Sequence, residues 1–260
     1  ELGSVVNVSD SPSVTQLANQ LMMSTASIAR DQNNLPYSPR KQGAGLANLG
    51  NIVSTNAYLL TDESTSNWYT GKDYRPKVEL GEDENKTGVY KFDFKVRNFG
   101  NTPLNFKLKT QFMTETLGND GIAVKEQAYM LKDVAPEYTF KGSVSDGNIT
   151  VSAGETATIG VTLKLSAAEK KYIDDSFING MFVEGFVELV SADNTQCDLS
   201  LPFMGFYGDW EQAPMLDYTA YEIAQFQQDG SYTDETRPKE TIWATQPFAS
   251  YNEENYVIPL

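Results

Sequence analysis

The sequence predicts a mainly β fold, an antiparallel β-sandwich preceded by a short helical segment. Three observations carry this prediction. Residues 88–98, GVYKFDFKVRN, put Val89, Lys91, Asp93 and Lys95 on one parity and Tyr90, Phe92, Phe94 and Val96 on the other. A two-residue period of this kind marks a strand with one buried face. Residues 103–115 repeat the device through Leu104, Phe106, Leu108, Thr110 and Phe112. Short strands then recur between turns rich in Gly, Asn and Asp: NFGNTP (98–103), NDG (119–121), SDGN (145–148) and SAGE (152–155).

The elements follow in order. Residues 11–29 read as a helix, with Ser11 as cap, Pro12 at the first helical position, and apolar side chains at Val14, Leu17, Ala18, Leu21, Met22, Ala26 and Ala29. That spacing makes one stripe, so a core-facing helix is expected. Asn33, Asn34, Pro36 and Pro39 break it. Residues 44–53 read as a second, short helix ending near Gly50 or at the β-branched run that follows. Two short helices and a joint cannot enclose a core, so residues 1–54 must lean on something else. Strands are expected at 56–62, 88–98, 103–115, 124–131, 137–141, 148–152, 156–165, 181–192 and about 197–206. One helix interrupts them at 166–177, where Ser166 and Glu169 have the spacing of a capping box. Such strands suggest a sandwich of immunoglobulin or fibronectin type. Regularity fades after residue 207, and residues 217–260 are expected to be an irregular segment or the start of a further module.

Composition narrows the function. The 260 residues carry 20 Lys and Arg against 35 Asp and Glu, a formal charge of −15. Such a surface repels nucleic acid and anionic membranes. No apolar run approaches the roughly 20 residues a membrane helix needs. There is one cysteine, Cys197, so no internal disulfide is available. There is no histidine, which excludes a Ser-His-Asp or Cys-His site made by this chain alone. The first residue is Glu1, which suggests a fragment or a processed piece.

Four stretches resemble one family. QLANQLMMSTA (16–26) is similar to the helix near the end of a subtilisin-type catalytic domain, and YSPRKQGAGLANL (37–49) to the joint that closes that domain. INGMFVEGFVELV (178–190) and LPFMGFYGDWEQAPMLD (201–217) resemble signatures of the fibronectin-like domain that follows it. The pairing is that of the cell-envelope subtilisin-like serine peptidases of the C5a peptidase and lactocepin type. The resemblance implies three parts: residues 1–54 as the incomplete end of a peptidase domain, 55–216 as a fibronectin type III-like sandwich, and 217–260 beyond it. It makes Pro39, Arg40, Gln42, Gly43 and Gly45 residues of the domain joint. Arg40 and Lys41 would then bond carboxylates or carbonyls of the missing portion. The family's catalytic serine lies in a Gly-Thr-Ser-Met motif that this sequence lacks, so no catalytic residue carries over. The expectation is a non-catalytic piece of an extracellular, cell-surface bacterial endopeptidase. It would support the catalytic domain of the same parent chain and help position polypeptide substrates. The rival reading is a free-standing adhesion or carbohydrate-binding sandwich.

Other motifs are weaker. Ser38-x-x-Lys41 and Lys86-Thr87-Gly88 match strings of penicillin-binding proteins, but Gly43 and Gly45 follow where a long buried helix is required. No cofactor is expected. The acidic runs GEDEN (81–85) and DGSYTDE (229–235), and Asp62, Glu63 and Asp73, would be the places for calcium; GEDEN reads more simply as a solvated turn. Trp68, Trp210 and Trp243 would be a sugar platform or, more simply, packing. Cys197 is expected as a buried free thiol.

Overall fold

The computed structural model describes residues 14–61, 75–118, 124–141, 143–145, 148–177, 179–211, 228, 249–251 and 257–259. Along the chain run α1 (Val14–Ser24), α2 (Pro39–Gln42), α3 (Leu49–Ser54), β1 (Ala57–Leu60), β2 (Val78–Asp83), β3 (Val89–Asn98) and β4 (Leu104–Leu117). They are followed by β5 (Val124–Met130), β6 (Glu137–Lys141), β7 (Ser143–Ser145), β8 (Asn148–Val151), β9 (Thr156–Lys164), α4 (Ala167–Ser176), β10 (Met181–Ser191) and β11 (Leu199–Tyr207).

Two sheets face each other. The smaller has the order β1-β3-β9-β6; the larger has the order β2-β11-β10-β4-β8-β7, with β5 also paired to β4. All pairings are antiparallel except β2 with β11. The alternation read in the sequence decides the faces. Tyr90, Phe94 and Val96 of β3 meet Phe106 and Phe112 of β4 and Val183, Val187 and Phe203 beyond it in one core. α4 closes one end through Ile173, with Phe177 just after it. Ser166 caps α4 as expected, its Oγ accepting from the Glu169 N–H at 3.1 Å. The Glu169 carboxylate, however, accepts from the Asp133 N–H at 3.2 Å, so its charge ties the helix to the preceding loop. The expected turn after β3 is organised by Asn98. Fully buried, it donates its amide to the carbonyls of Thr102 and Val151 at 2.8 and 3.0 Å.

Several expectations are corrected. The first helix ends at Ser24; Ala26 and Ala29 lie in extended chain, where Ser27 bridges Leu46 and Arg30 bridges Pro36. Ser11 and Pro12 lie outside the described residues. Leu17, Leu21 and Ala26 of the apolar stripe are buried, while Val14 and Met22 are exposed. The second helix begins at Leu49, because Asn48 caps it by accepting from the Asn51 N–H at 3.1 Å. GEDEN is not wholly a turn, since Gly81–Asp83 end the edge strand β2. β2 alternates poorly between buried and exposed positions, having one neighbour strand among the described residues, and so leaves little trace in the sequence. β7 was also missed. Within the stretch expected to be irregular, β12 (Ala249–Tyr251) and β13 (Val257–Pro259) pair antiparallel.

Two buried phenols give the fold an alkaline limit. Tyr90 and Tyr207 are nearly inaccessible, and their hydroxyls lie 3.4 Å from Asp83 and Asp174. Burial first, then the Asp83 carboxylate, holds the Tyr90 phenol far above its ordinary value. The same causes, with Asp174, push Tyr207 up to about 12. A raised acid pKa in the folded state favours the neutral form there. That stability is complete below pH 10 and is lost as pH rises through the folded values. Ultraviolet absorbance titration should show two of the 14 tyrosines ionising only as circular dichroism reports unfolding. Ionisation of all of them near pH 10 with the fold intact would contradict this.

Candidate functional site: a clamped joint on the outer sheet face

Residues 14–54 do find something to lean on, and it is the sandwich itself. Leu17 and Leu21 of α1 pack with Ile52 of α3 and Tyr58 of β1 in a second, small core. The Ser24 hydroxyl accepts from the Leu59 N–H at 2.8 Å, stitching the end of α1 to β1. Beyond α1 the chain turns back over a compact loop. Asp31 holds it, one carboxylate oxygen accepting from the N–H groups of Asn33 and Leu35, both at 2.8 Å.

The joint follows. Ser38 caps α2 by accepting from the Arg40 N–H at 3.1 Å, and Pro39 takes the first helical position, where its missing N–H costs nothing. Gly43 ends the turn at φ +61°, and its N–H reaches the Pro39 carbonyl at 2.7 Å. Gln42 sews the joint to the returning loop. Its amide donates to the carbonyls of Tyr37 (2.6 Å) and Ala29 (3.2 Å) and accepts from the Ala29 N–H (2.7 Å). At Gly45 the chain passes so near Ser27 that a Cβ would sit 2.4 Å from the Ser27 carbonyl oxygen. Pro39, Arg40, Gln42, Gly43 and Gly45, which the resemblance names for the joint, fall in or beside one small turn.

Beneath the turn lies the outer face of the larger sheet. β4 and β10 each place glutamates there: Glu115 on β4, Glu184 and Glu188 on β10. Glu184 is 1% exposed and Glu115 7% exposed. Arg40 descends between these two carboxylates. Its Nε and one terminal nitrogen reach the two oxygens of Glu184 at 3.0 and 3.1 Å, and the same terminal nitrogen bonds Glu115. Its guanidinium also sits 4.3 Å from the centre of the Phe182 ring. A planar, forked cation suits this bidentate and stacked position, and a lysine could not reproduce it. Burial works against the Arg40 charge; the bond and charge of Glu184, then Glu115, outweigh it, so the guanidinium is held more firmly protonated than usual. One step along the face, Arg30 donates to Gln111 at 3.1 Å, while Glu188 draws in Lys109 at 3.2 Å and Arg30 at 3.9 Å.

The carboxylates that meet Arg40 are thus the sandwich's own, not those of a missing portion. Sequence reading identified Arg40 but missed Glu115, Glu184 and Arg30. The available signal was VEGFVELV, where glutamates alternate with core residues on a strand whose two faces are both covered.

The remaining candidates are occupied otherwise. The Ser38 hydroxyl is engaged as a helix cap. Lys86 pairs with Asp174 at 2.7 Å, and Thr87 and Gly88 donate their N–H groups to Asp83 at 2.8 and 2.6 Å. Cys197 is half-buried, and burial pushes its thiol up. Trp210 is 56% exposed. Trp68, Trp243, Asp62, Glu63, Asp73 and the run 229–235 lie outside the described residues.

Residues 78–204 match the family described as Fn3-like domain. The PI-type proteinase of Lactococcus lactis subsp. cremoris is 29% identical over 206 residues, which are 78% of this chain and 10% of that protein. The C5a peptidase of Streptococcus pyogenes is 24% identical over 207 residues, 79% of this chain and 16% of that protein. Among solved structures, the ASH / PapD-like domain of human CEP192 aligns with 59% of this chain and 85% of its own at 9% identity and a TM-score of 0.36. The chain spans about a tenth of the length of the first of these relatives. Residues 78–204 match the Fn3-like domain family, and the chain that carries them is homologous to proteinases of the PI-type and C5a peptidase kind.

Proposed function

We propose that this chain is the non-catalytic junction of an extracellular, cell-surface subtilisin-type serine endopeptidase of a bacterium. Residues 14–54 are the last helices of the peptidase domain, the sandwich is the accessory module behind it, and residues 217–260 lead into a further part. The observation that carries the reading is the Arg40 clamp. It fixes the joint to Glu184 and Glu115, so that helices and sandwich move as one body. A rigid junction of this kind holds an accessory module at a constant distance from an active site and so positions a long polypeptide against it.

The same body presents an apolar row outward. Leu46, Leu49 and Val53 are 66, 77 and 76% exposed, and Leu49 and Val53 stand one turn apart on α3. In the proposal they meet the catalytic domain of the parent chain. Leu49→Lys with Val53→Lys should leave the stability of this chain within about 0.5 kcal/mol, as is usual for open surface positions. In the parent proteinase the pair should lower peptidase activity and melting temperature together. The purified chain should cleave no peptide bond. An unaltered parent enzyme, or turnover by the chain alone that vanishes on mutating Ser38 or Ser24, would overturn the proposal.

A further inference from the structure

We infer that the outer face of β11, beside the edge strand β2, is a docking groove for an extended polypeptide segment that carries a basic residue next to an apolar one. The inference rests on the substrate-positioning reading above and names a surface for it. Two concavities of about 350 and 170 Å³ lie end to end there, and Glu79 and Met204 line both. The floor of the larger is aromatic. Phe182, Phe206 and Trp210 pack against one another with ring centres 5.0–5.4 Å apart. The Trp210 main chain is tied to β2 where its backbone N–H donates to Glu82 at 3.1 Å, and more than half of the residue's surface is open. Large rings with an adaptable methionine are the composition of recognition surfaces, not of a solvated sheet face.

Two further features say what lies there. First, β2 pairs with β11 alone, and its other edge has no strand partner, among the described residues. An open edge offers N–H and C=O groups in strand register, which an extended main chain matches and a sugar does not. Second, the wall is acidic. The register sets Glu79 beside Met204 and Glu82 beside Phe206. Lys77 neutralises Glu79 at 2.5 Å, but no cation among the described residues pairs with Glu82. A lysine or arginine flanking an apolar side chain would complete that charge while the apolar group enters the aromatic floor. The N-terminal segment walls the smaller concavity through Met23 and Gly43, so that end of the groove depends on the clamped joint.

The test is fluorescence anisotropy with the full chain and three labelled probes: the peptide Gly-Leu-Lys-Phe-Lys-Ser, its counterpart with both lysines replaced by glutamate, and a maltohexaose. The basic peptide should bind and the acidic one should bind at least tenfold more weakly. Glu82→Gln, which keeps an oxygen to accept from the Trp210 backbone N–H, should remove that preference. Trp210→Ala should weaken the basic peptide at least tenfold. A photo-crosslinker at Met204 should capture the peptide. Absence of peptide binding, indifference to both substitutions, Trp210-dependent binding of the maltohexaose, or crosslinking of Met204 only to the chain's own residues 212–260 would each overturn the inference. Failure here with an intact effect of Leu49→Lys and Val53→Lys in the parent enzyme removes the groove and leaves the junction reading standing.

Discussion

Arg40→Met is expected to cost about 2–4 kcal/mol of folding stability in denaturant titration. It should also open the segment between Arg30 and Lys41 to trypsin. Removing one member of a buried ion pair strands the other charge, which costs roughly 3–5 kcal/mol when both are fully enclosed. Here the Glu184 side chain is 2% exposed and that of Glu115 10%, but that of Arg40 is 28% exposed, so the figure is reduced. The cause is the stranded carboxylates rather than the lost attraction. Two comparisons separate these. Arg40→Lys keeps the charge and loses the fork and the stacking on Phe182, so it should recover only part of the loss. Arg40→Met combined with Glu184→Leu removes the worst stranded charge and should recover about half, a non-additivity expected only of groups in direct contact. A single variant within about 0.5 kcal/mol of the parent, with no new trypsin cleavage, would show that the joint is held by something else.

This expectation also explains what could be read from the sequence. β3 and β4 were legible because one of their faces meets the core and the other meets water for most of their length, so Phe94 and Lys95, or Phe106 and Lys107, sort by parity. β6 was legible down to its ends, since its burial alternates strictly. The later half of β4 and residues 183–187 of β10 obey a different rule. Gln111, Met113, Glu115, Glu184 and Phe186 are buried on the outer face because the joint lies over them. Parity there marks two kinds of interior, one apolar and one charged, and nothing local distinguishes a glutamate facing water from one facing an arginine 144 positions earlier. The local mechanics of the turn at 38–45 follow from residue chemistry: proline for φ, serine for the cap, glycine for a missing Cβ. The partners of these residues were not legible, because long-range pairing leaves no periodicity.

The stripe on α1 shows the same limit from the other side. Its spacing predicted one buried face, but the sandwich covers only Leu17 and Leu21 and leaves Val14 and Met22 open. Amphipathic period reports that a face wants burial; it does not report how much of the cover is supplied by the same molecule. The open remainder, with Leu46, Leu49 and Val53, is the part that the proposed peptidase domain would use.

The two joint glycines should then separate when each is replaced by alanine. Both have positive φ, +61° at Gly43 and +119° at Gly45, so both variants bear the cost of a conformation that side chains disfavour, about 1–3 kcal/mol. Only Gly45 adds a collision. Nothing lies within 4 Å of a Cβ built on Gly43, whereas one on Gly45 meets the Ser27 carbonyl oxygen at 2.4 Å and its carbon at 2.9 Å. Those are backbone atoms and cannot rotate away. The chain must part where Ser27 and Leu46 exchange hydrogen bonds of 2.9 and 2.8 Å, which adds roughly two lost bonds of about 1 kcal/mol each to the strain. Gly43→Ala should therefore lower stability by about 1–3 kcal/mol and leave the Ser27 and Leu46 amides protected in hydrogen exchange. Gly45→Ala should lower it by about 3–5 kcal/mol and expose both amides. The exchange readout matters more than the difference in stability, because it locates the damage. Equal losses with both amides still protected would mean that the close approach at Gly45 relaxes freely, and that the joint is a looser turn than the Gln42 and Arg40 contacts imply.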